Sequence, residues 1–166
     1  MNAVELDLEA IAPAHHAWVD SCGWHNITTL ESVGLIGSEI GEAAAEALQG
    51  VPTDHFAEEL SDIVLRILDL AVTLGIMHKS LLASDDVRWE TTTLPAQMCE
   101  LMKEFALWTN SARKDSLDET FTHGMSKVLS RTVSLADNWC GAGVLADALS
   151  LKIEKNRLRG TRGRTK

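Results

Sequence analysis

Two segments decide the fold of this chain: LIGSEIGEAAAEAL, residues 35–48, and HFAEELSDIVLRILDL, residues 55–70. Each segment carries two acids three residues apart, a spacing that places both acids on one face of an α-helix. The four acids are Glu39, Glu42, Glu59 and Asp62. The pattern therefore predicts two helices, each with a pair of carboxylates on one side.

A short turn, Gly50-Val51-Pro52, separates the two segments and predicts an antiparallel hairpin. At about 1.5 Å per residue, Glu42 and Glu59 lie roughly 12 and 10 Å from the turn, and the other two acids roughly 16 and 15 Å. All four carboxylates then converge as two facing pairs. Clustered carboxylates repel one another unless cations lie between them, and hard oxygen ligands suit Mg²⁺ or Mn²⁺. We therefore predict a metal site formed by Glu39, Glu42, Glu59 and Asp62.

Size and composition favour one globular domain. The 166 residues are 45% apolar, which is enough for a substantial core. No apolar run approaches the roughly 20 residues that cross a bilayer, and the acidic N-terminus lacks a signal-peptide pattern. The three cysteines show no CxxC spacing and the six histidines no HExxH motif, which argues against a disulfide framework and a zinc enzyme. A cytoplasmic location is expected.

Charge is distributed unevenly along the chain. The net charge is −9, yet the tail 152–166 holds seven basic residues and one acid. An acidic body argues against duplex nucleic acid as a partner. The basic tail is suited to binding phosphates, and the alternative is a solvated, frayed C-terminus.

Helical signals dominate the remaining sequence, and sustained alternation of apolar and polar residues is absent. Capping boxes at Thr28–Glu31 and Ser116–Glu119 mark two helix starts. Pro13 is expected to interrupt the first helix, and 21–26 is expected to be a loop. The predicted helices cover about 4–20, 28–49, 53–74, 77–84, 93–113 and 116–139.

The second half resembles a degenerate copy of the first. A shift of 65 residues places Glu39 on Glu104 and Arg66 on Arg131. It also places Asp62 on Lys127 and Glu59 on Gly124, so the acids of the first half are not all retained. We therefore predict an all-α, antiparallel helical bundle in a single domain 1–166. Its parts are a catalytic half at 4–78, a degenerate half at 85–151 and a basic tail at 152–166.

The acid pattern resembles a known family signature. Glu39-Ile-Gly-Glu42 followed by Glu59-Leu-Ser-Asp62 looks like the ExxE…ExxD motif of the all-α nucleoside triphosphate pyrophosphatases, which include MazG-like enzymes and dimeric dUTPases. The run EELSDIVLRILDLAVTLGI, residues 58–76, is similar to the second MazG-like helix. The middle of the chain, about 80–145, departs toward the dUTPase-like architecture, in which one chain holds both halves of the bundle.

Two further segments carry the resemblance. Trp18 and Gly23-Trp24-His25 resemble an aromatic segment that precedes the first acidic helix in MazG-like proteins. LKIEKNRLRG, residues 151–160, resembles the closing Lys-x-x-x-Asn-x-x-Arg region, with Arg157 or Arg159 in the arginine position. The resemblance thus implies substrate-binding roles for Trp24, His25, Lys152, Lys155, Asn156 and Arg157.

The resemblance implies Mg²⁺-dependent hydrolysis of (deoxy)nucleoside triphosphates to the monophosphate and pyrophosphate, with Mn²⁺ as a substitute. Glu39, Glu42 and Glu59 are the expected catalytic residues, and either Glu39 or Glu42 would orient or deprotonate the attacking water. A homodimer is implied, although the extra half leaves a monomer open. We expect Arg66 to pair with Asp69 in a structural role. Glu46 and Glu58 are either auxiliary acids of the site or solvent-facing.

Three other interpretations remain open at this point. One is a related pyrophosphohydrolase that acts on a different nucleotide, such as phosphoribosyl-ATP. Another is a non-catalytic helical adaptor whose acids face water. A calcium-binding helical protein ranks last because the sequence has no EF-hand loop.

Overall fold

The computed structural model describes residues 7–24, 28–76, 87–113 and 118–159. Within these residues the chain forms six α-helices and no strand, which confirms the predicted all-α fold. The helices are α1 (Leu8–Cys22), α2 (Thr29–Ala45), α3 (Phe56–Thr73), α4 (Leu94–Ala112), α5 (Glu119–Trp139) and α6 (Val144–Arg159). None of the described helices combines the length and apolar character needed to cross a membrane.

Helix α3 is the centre of the bundle. It packs against α1, α2, α5 and α6, while α4 packs against α2 and α5. Because neighbours cover α3 on several sides, ten of its eighteen residues are buried. The charged residues of α3 form one stripe at helical spacing: Glu58, Glu59, Asp62, Arg66 and Asp69. The same helix therefore supplies both the middle of the core and a line of charged groups.

One continuous core joins the two halves of the chain. Ile36 and Leu68 from the first half belong to the same buried cluster as Leu101 and Leu129 from the second half. Loss of apolar surface from water is the main favourable term in this packing. The α4–α5 hairpin thus packs against the α2–α3 hairpin within a single chain.

Side-chain caps set the starts of two helices. The Glu31 backbone N–H donates to Thr28 Oγ1 over 3.2 Å, and the Thr28 N–H donates to Glu31 Oε2 over 2.9 Å. This confirms the predicted capping box of α2. Ser116, the predicted start of a second box, lies outside the described residues, and the N-cap of α5 is Asp118, whose carboxylate accepts from the Phe121 N–H.

Several predicted helix boundaries also differ. Pro13 lies inside an uninterrupted α1, on an exposed position where water can satisfy the carbonyl that lacks its donor. The loop expected at 21–26 begins only at Gly23, whose φ of 67° ends α1. Helix α2 ends at Ala45, four residues before the expected Gln49. The short helix predicted at 77–84 lies outside the described residues.

Candidate functional site

A cleft of about 650 Å³ opens between helices α1, α2, α3 and α6. Most of the side chains that line it belong to three groups. Acids from α2 and α3 form one part, His15, Trp18 and Trp24 form an aromatic wall, and α6 contributes Lys152, Asn156 and Arg159. Acidic, aromatic and basic groups therefore face one shared space.

Three carboxylates meet at the acidic part of the cleft. One oxygen each from Glu39, Glu42 and Glu59 lies within 4.8 Å of the other two. Glu39 is buried, Glu42 is exposed and Glu59 is intermediate. A divalent cation with oxygen ligands at about 2.0–2.6 Å fits between oxygens at such separations. The donor set is therefore suited to a hard divalent cation.

The pKa of Glu59 shows that the converging carboxylates repel one another. Burial raises the pKa of Glu59, and the charges of Asp62, Glu42 and Glu39 raise it further, against an opposing effect of Lys152. Among the described residues, neither the Glu42 carboxylate nor the Glu59 carboxylate has a hydrogen-bond or ion-pair partner, although the backbones of both residues are hydrogen-bonded. A bound cation would relieve this repulsion.

The fourth predicted ligand, Asp62, lines the cleft but does not join the three converging carboxylates. Its Oδ2 lies 2.5 Å from Lys152 Nζ, which also donates to Glu58 Oε1 over 3.0 Å. Burial raises the pKa of Asp62, and the hydrogen bond from Lys152 only partly offsets this. The ammonium of Lys152 is nearly enclosed and needs anionic partners, which explains the pairing.

The Glu58 carboxylate binds lysines of α6 and is not one of the three converging carboxylates. Its Oε1 accepts from both Lys152 and Lys155, the latter over 2.6 Å. The hydrogen bonds from Lys155 and then Lys152 lower the pKa of Glu58 to about 2. Burial alone would lower the pKa of Lys152, but its bonds to Asp62 and Glu58 more than reverse this and raise it. These contacts attach α6 to α3.

The expected Arg66–Asp69 pair is wrong. Arg66 reaches across to α2, where its Nε donates to Glu39 Oε1 over 2.5 Å. Asp69 instead contacts His16 of α1, with Oδ1 2.8 Å from Nδ1. Glu46 lies away from the cleft, at the turn, where it accepts from the Thr53 hydroxyl. Arg66 thus holds the most buried acid of the cluster.

The aromatic wall includes one residue that the sequence did not single out. Trp18 and Trp24 stack edge to face with centroids 4.9 Å apart, and His15 lies 5.8 Å from Trp18. Within the described residues, His15 Nδ1 and Trp24 Nε1 are buried without hydrogen-bond partners. Burial lowers the pKa of His15, which favours the uncharged form of its ring. The spacing of buried Ala12, His15 and Val19 along α1 was the available signal.

The Lys, Asn and Arg residues of α6 separate into two groups. Lys152, Asn156 and Arg159 follow the i, i+4, i+7 spacing of one helix face and line the cleft. Arg157 is exposed and does not line the cleft. Lys155 does not line the cleft either, but it contacts Glu58, which does. The structure therefore favours Arg159 over Arg157 as the cleft arginine. The predicted His25 lies outside the described residues.

No protein-family model, no curated protein and no solved structure matches this chain. The case for a function therefore rests on the cleft and on the motif resemblance.

Proposed function

We propose that the protein is a Mg²⁺-dependent nucleotide pyrophosphohydrolase that converts (deoxy)nucleoside triphosphates to the monophosphate and pyrophosphate. One observation carries the proposal: Glu39, Glu42 and Glu59 bring carboxylate oxygens within 4.8 Å of one another in a cleft that also has basic and aromatic walls. These walls match the parts of a nucleotide, because basic groups suit phosphates and aromatic rings suit a base.

The three converging carboxylates would hold the metal. A divalent cation there would supply positive charge for the phosphates and acidity for the attacking water. Arg66 fixes the Glu39 carboxylate through one oxygen, which leaves the other oxygen for a ligand role. Glu42 is exposed to the cleft and has no such bond among the described residues. This favours Glu42 over Glu39 for orienting or deprotonating the water.

The remaining cleft residues position the substrate. Arg159 supplies a planar fork that suits phosphate oxygens, and Asn156 supplies directional hydrogen bonds. Trp18 and Trp24 line the cleft and offer ring surfaces for stacking of a base. Deoxynucleotides are the proposed substrate class, by the motif resemblance.

The test is a panel of ribo- and deoxynucleoside triphosphates incubated with the full chain and Mg²⁺, with separate detection of pyrophosphate and inorganic phosphate. We expect pyrophosphate from at least one nucleotide and none after chelation. Glu59→Gln should lower turnover on the order of 100-fold or more while the helical circular dichroism stays unchanged. Glu154→Gln, at an exposed position of α6, is the matched control and should keep its turnover.

Two outcomes would contradict the proposal. Unchanged turnover in Glu59→Gln would remove the metal-site assignment. The absence of both nucleotide binding and Mg²⁺-dependent thermal stabilisation would favour a non-catalytic adaptor.

The oligomeric state is tested by light scattering after size exclusion. The measured mass distinguishes two cases: the homodimer that the resemblance implies, and a monomer whose bundle is completed by α4 and α5.

A further inference from the structure

Lys152 occupies an unusual position for a phosphate-binding lysine. Its side chain is only 10% exposed, and its ammonium lies 2.5 Å from Asp62 Oδ2 and 3.0 Å from Glu58 Oε1. Two of its three N–H donors are therefore already directed at carboxylates. In this arrangement Lys152 has little capacity left for a triphosphate.

Asp62 is also placed to be a ligand of the acid cluster. It follows Glu59 by three residues on the cleft face of α3, and both side chains line the same cleft. Its charge contributes to the raised pKa of Glu59, so the two carboxylates interact. Asp62 thus interacts both with the acids of the cluster and with the ammonium of Lys152.

Asp62 cannot serve both positive groups fully. A divalent cation binds carboxylate oxygens at about 2.0–2.6 Å, so sharing Asp62 would bring it within a few ångströms of the Lys152 ammonium. Like charges at that separation repel strongly in a partly buried cleft. Whichever cation holds Asp62 therefore weakens the hold of the other.

We infer that Lys152 competes with the divalent cation for Asp62, and that binding of the metal transfers Asp62 to the cation and releases the Lys152 ammonium toward the substrate phosphates. This inference rests on the proposed function, because it assumes the metal site. Linkage makes the effect reciprocal: a phosphate that holds Lys152 tightens binding of the metal. Through Lys152, binding of the cation would increase the affinity for the triphosphate, and binding of the triphosphate would increase the affinity for the cation.

Lys155 provides a matched control. It lies three residues from Lys152 on the same helix and carries the same charge, but its ion-pair partner among the described residues is Glu58 and not Asp62. Its side chain is 49% exposed. Lys155→Met therefore removes an equal charge from α6 and leaves the Lys152–Asp62 pair in place.

The experiment measures binding of Mn²⁺ to the full chain, without nucleotide, from the electron paramagnetic resonance signal of free Mn²⁺. Lys152→Met should bind Mn²⁺ at least about fivefold more tightly than the wild-type chain. Lys155→Met should differ from wild type by less than about twofold, because an exposed ion pair contributes little. Lys152→Gln, which keeps a polar side chain without the charge, should also bind more tightly and guards against misfolding of the methionine variant.

A double-mutant cycle with Asp62→Asn tests whether the effect of Lys152 on Mn²⁺ affinity depends on Asp62. If Lys152 acts through Asp62, Lys152→Met should tighten Mn²⁺ binding in the wild-type background and not in the Asp62→Asn background. Equal Mn²⁺ affinities for the wild-type, Lys152→Met and Lys152→Gln chains would overturn the competition and leave the metal site standing. Absence of Mn²⁺ binding in every chain would overturn the competition and the proposed metal site together.

Discussion

The α2–α3 and α4–α5 hairpins place similar charges and balance them differently. Each hairpin contains one Arg–Glu ion pair at equivalent positions. Arg66 pairs with Glu39 in the first hairpin, and a shift of 65 residues gives the pair of Arg131 with Glu104 in the second. In the second hairpin the neighbouring acid, Glu100, accepts from Thr91 Oγ1 over 2.6 Å, from the Glu90 N–H and from Arg131. Protein donors thus satisfy the acids of the second hairpin.

The first hairpin leaves its acids facing one another. Glu42 and Glu59 converge on Glu39, and Arg66 donates to Glu39 alone of these three. At the position of Glu59 the second hairpin has Gly124, and Trp108 lies against it. A buried acid surrounded by protein donors therefore stabilises the fold, whereas converging acids without such donors are suited to a cation.

The strongest test of this difference substitutes equivalent acids in the two hairpins. Glu39→Gln should lower the proposed Mg²⁺-dependent nucleotide hydrolysis by about 100-fold or more, because it removes a buried carboxylate from the acid cluster. Glu104→Gln should leave turnover within about twofold, because Glu104 lies outside the cleft. Steady-state kinetics under identical Mg²⁺ concentrations measure both. Equal losses in the two variants would erase the functional distinction between the hairpins.

A second test concerns Gly124, which lies in the second hairpin at the position that corresponds to Glu59 in the first. A Cβ at Gly124 would lie 2.9 Å from Trp108 Cδ1, so Gly124→Ala should lower the free energy of unfolding by about 1–3 kcal/mol. Gly34→Ala is the control, because nothing lies within 4 Å of its added Cβ in α2. It should stabilise the chain by roughly 0.5–1 kcal/mol. Urea unfolding measures both, and a stabilising Gly124→Ala would show that the indole yields to an added side chain.

The smallest expected effect is a dependence of stability on acid pH. The pKa of Glu58 is about 2 in the fold against 4.5 as its ordinary value. A depressed pKa means that its ion pairs stabilise the fold above pH 4.5 and lose that contribution as pH falls through about 2. Glu58→Gln should therefore be less stable than wild type at pH 5, and the gap should narrow toward pH 2. Urea unfolding at intermediate pH values checks this, and a constant gap would show that the carboxylate charge is not involved.

Local patterns explain what the sequence predicted well. The capping box at Thr28 and the apolar periodicity of α3 depend on neighbours a few residues away, so spacing alone reveals them. Convergence of Glu39, Glu42 and Glu59 followed from two helices and a short turn. These features required no knowledge of how distant segments pack.

Long-range pairs explain what the sequence missed. The partner of Asp62 is Lys152, ninety positions further along the chain, and no local spacing connects them. Asp69 could be assigned to Arg66 by helical spacing, yet packing of α1 against α3 brings His16 closer. In both cases tertiary packing chose between several charged groups of suitable type.

The central position of α3 has a consequence for how this protein can diversify. Its apolar sides are enclosed by four other helices, and its polar stripe carries much of the acidic chemistry, so change on α3 is constrained from every direction. Helices α1 and α6 border the cleft without such enclosure. Exchange of side chains on these two flanking helices can therefore alter which ligand the cleft accepts, while the acid cluster and the scaffold stay unchanged.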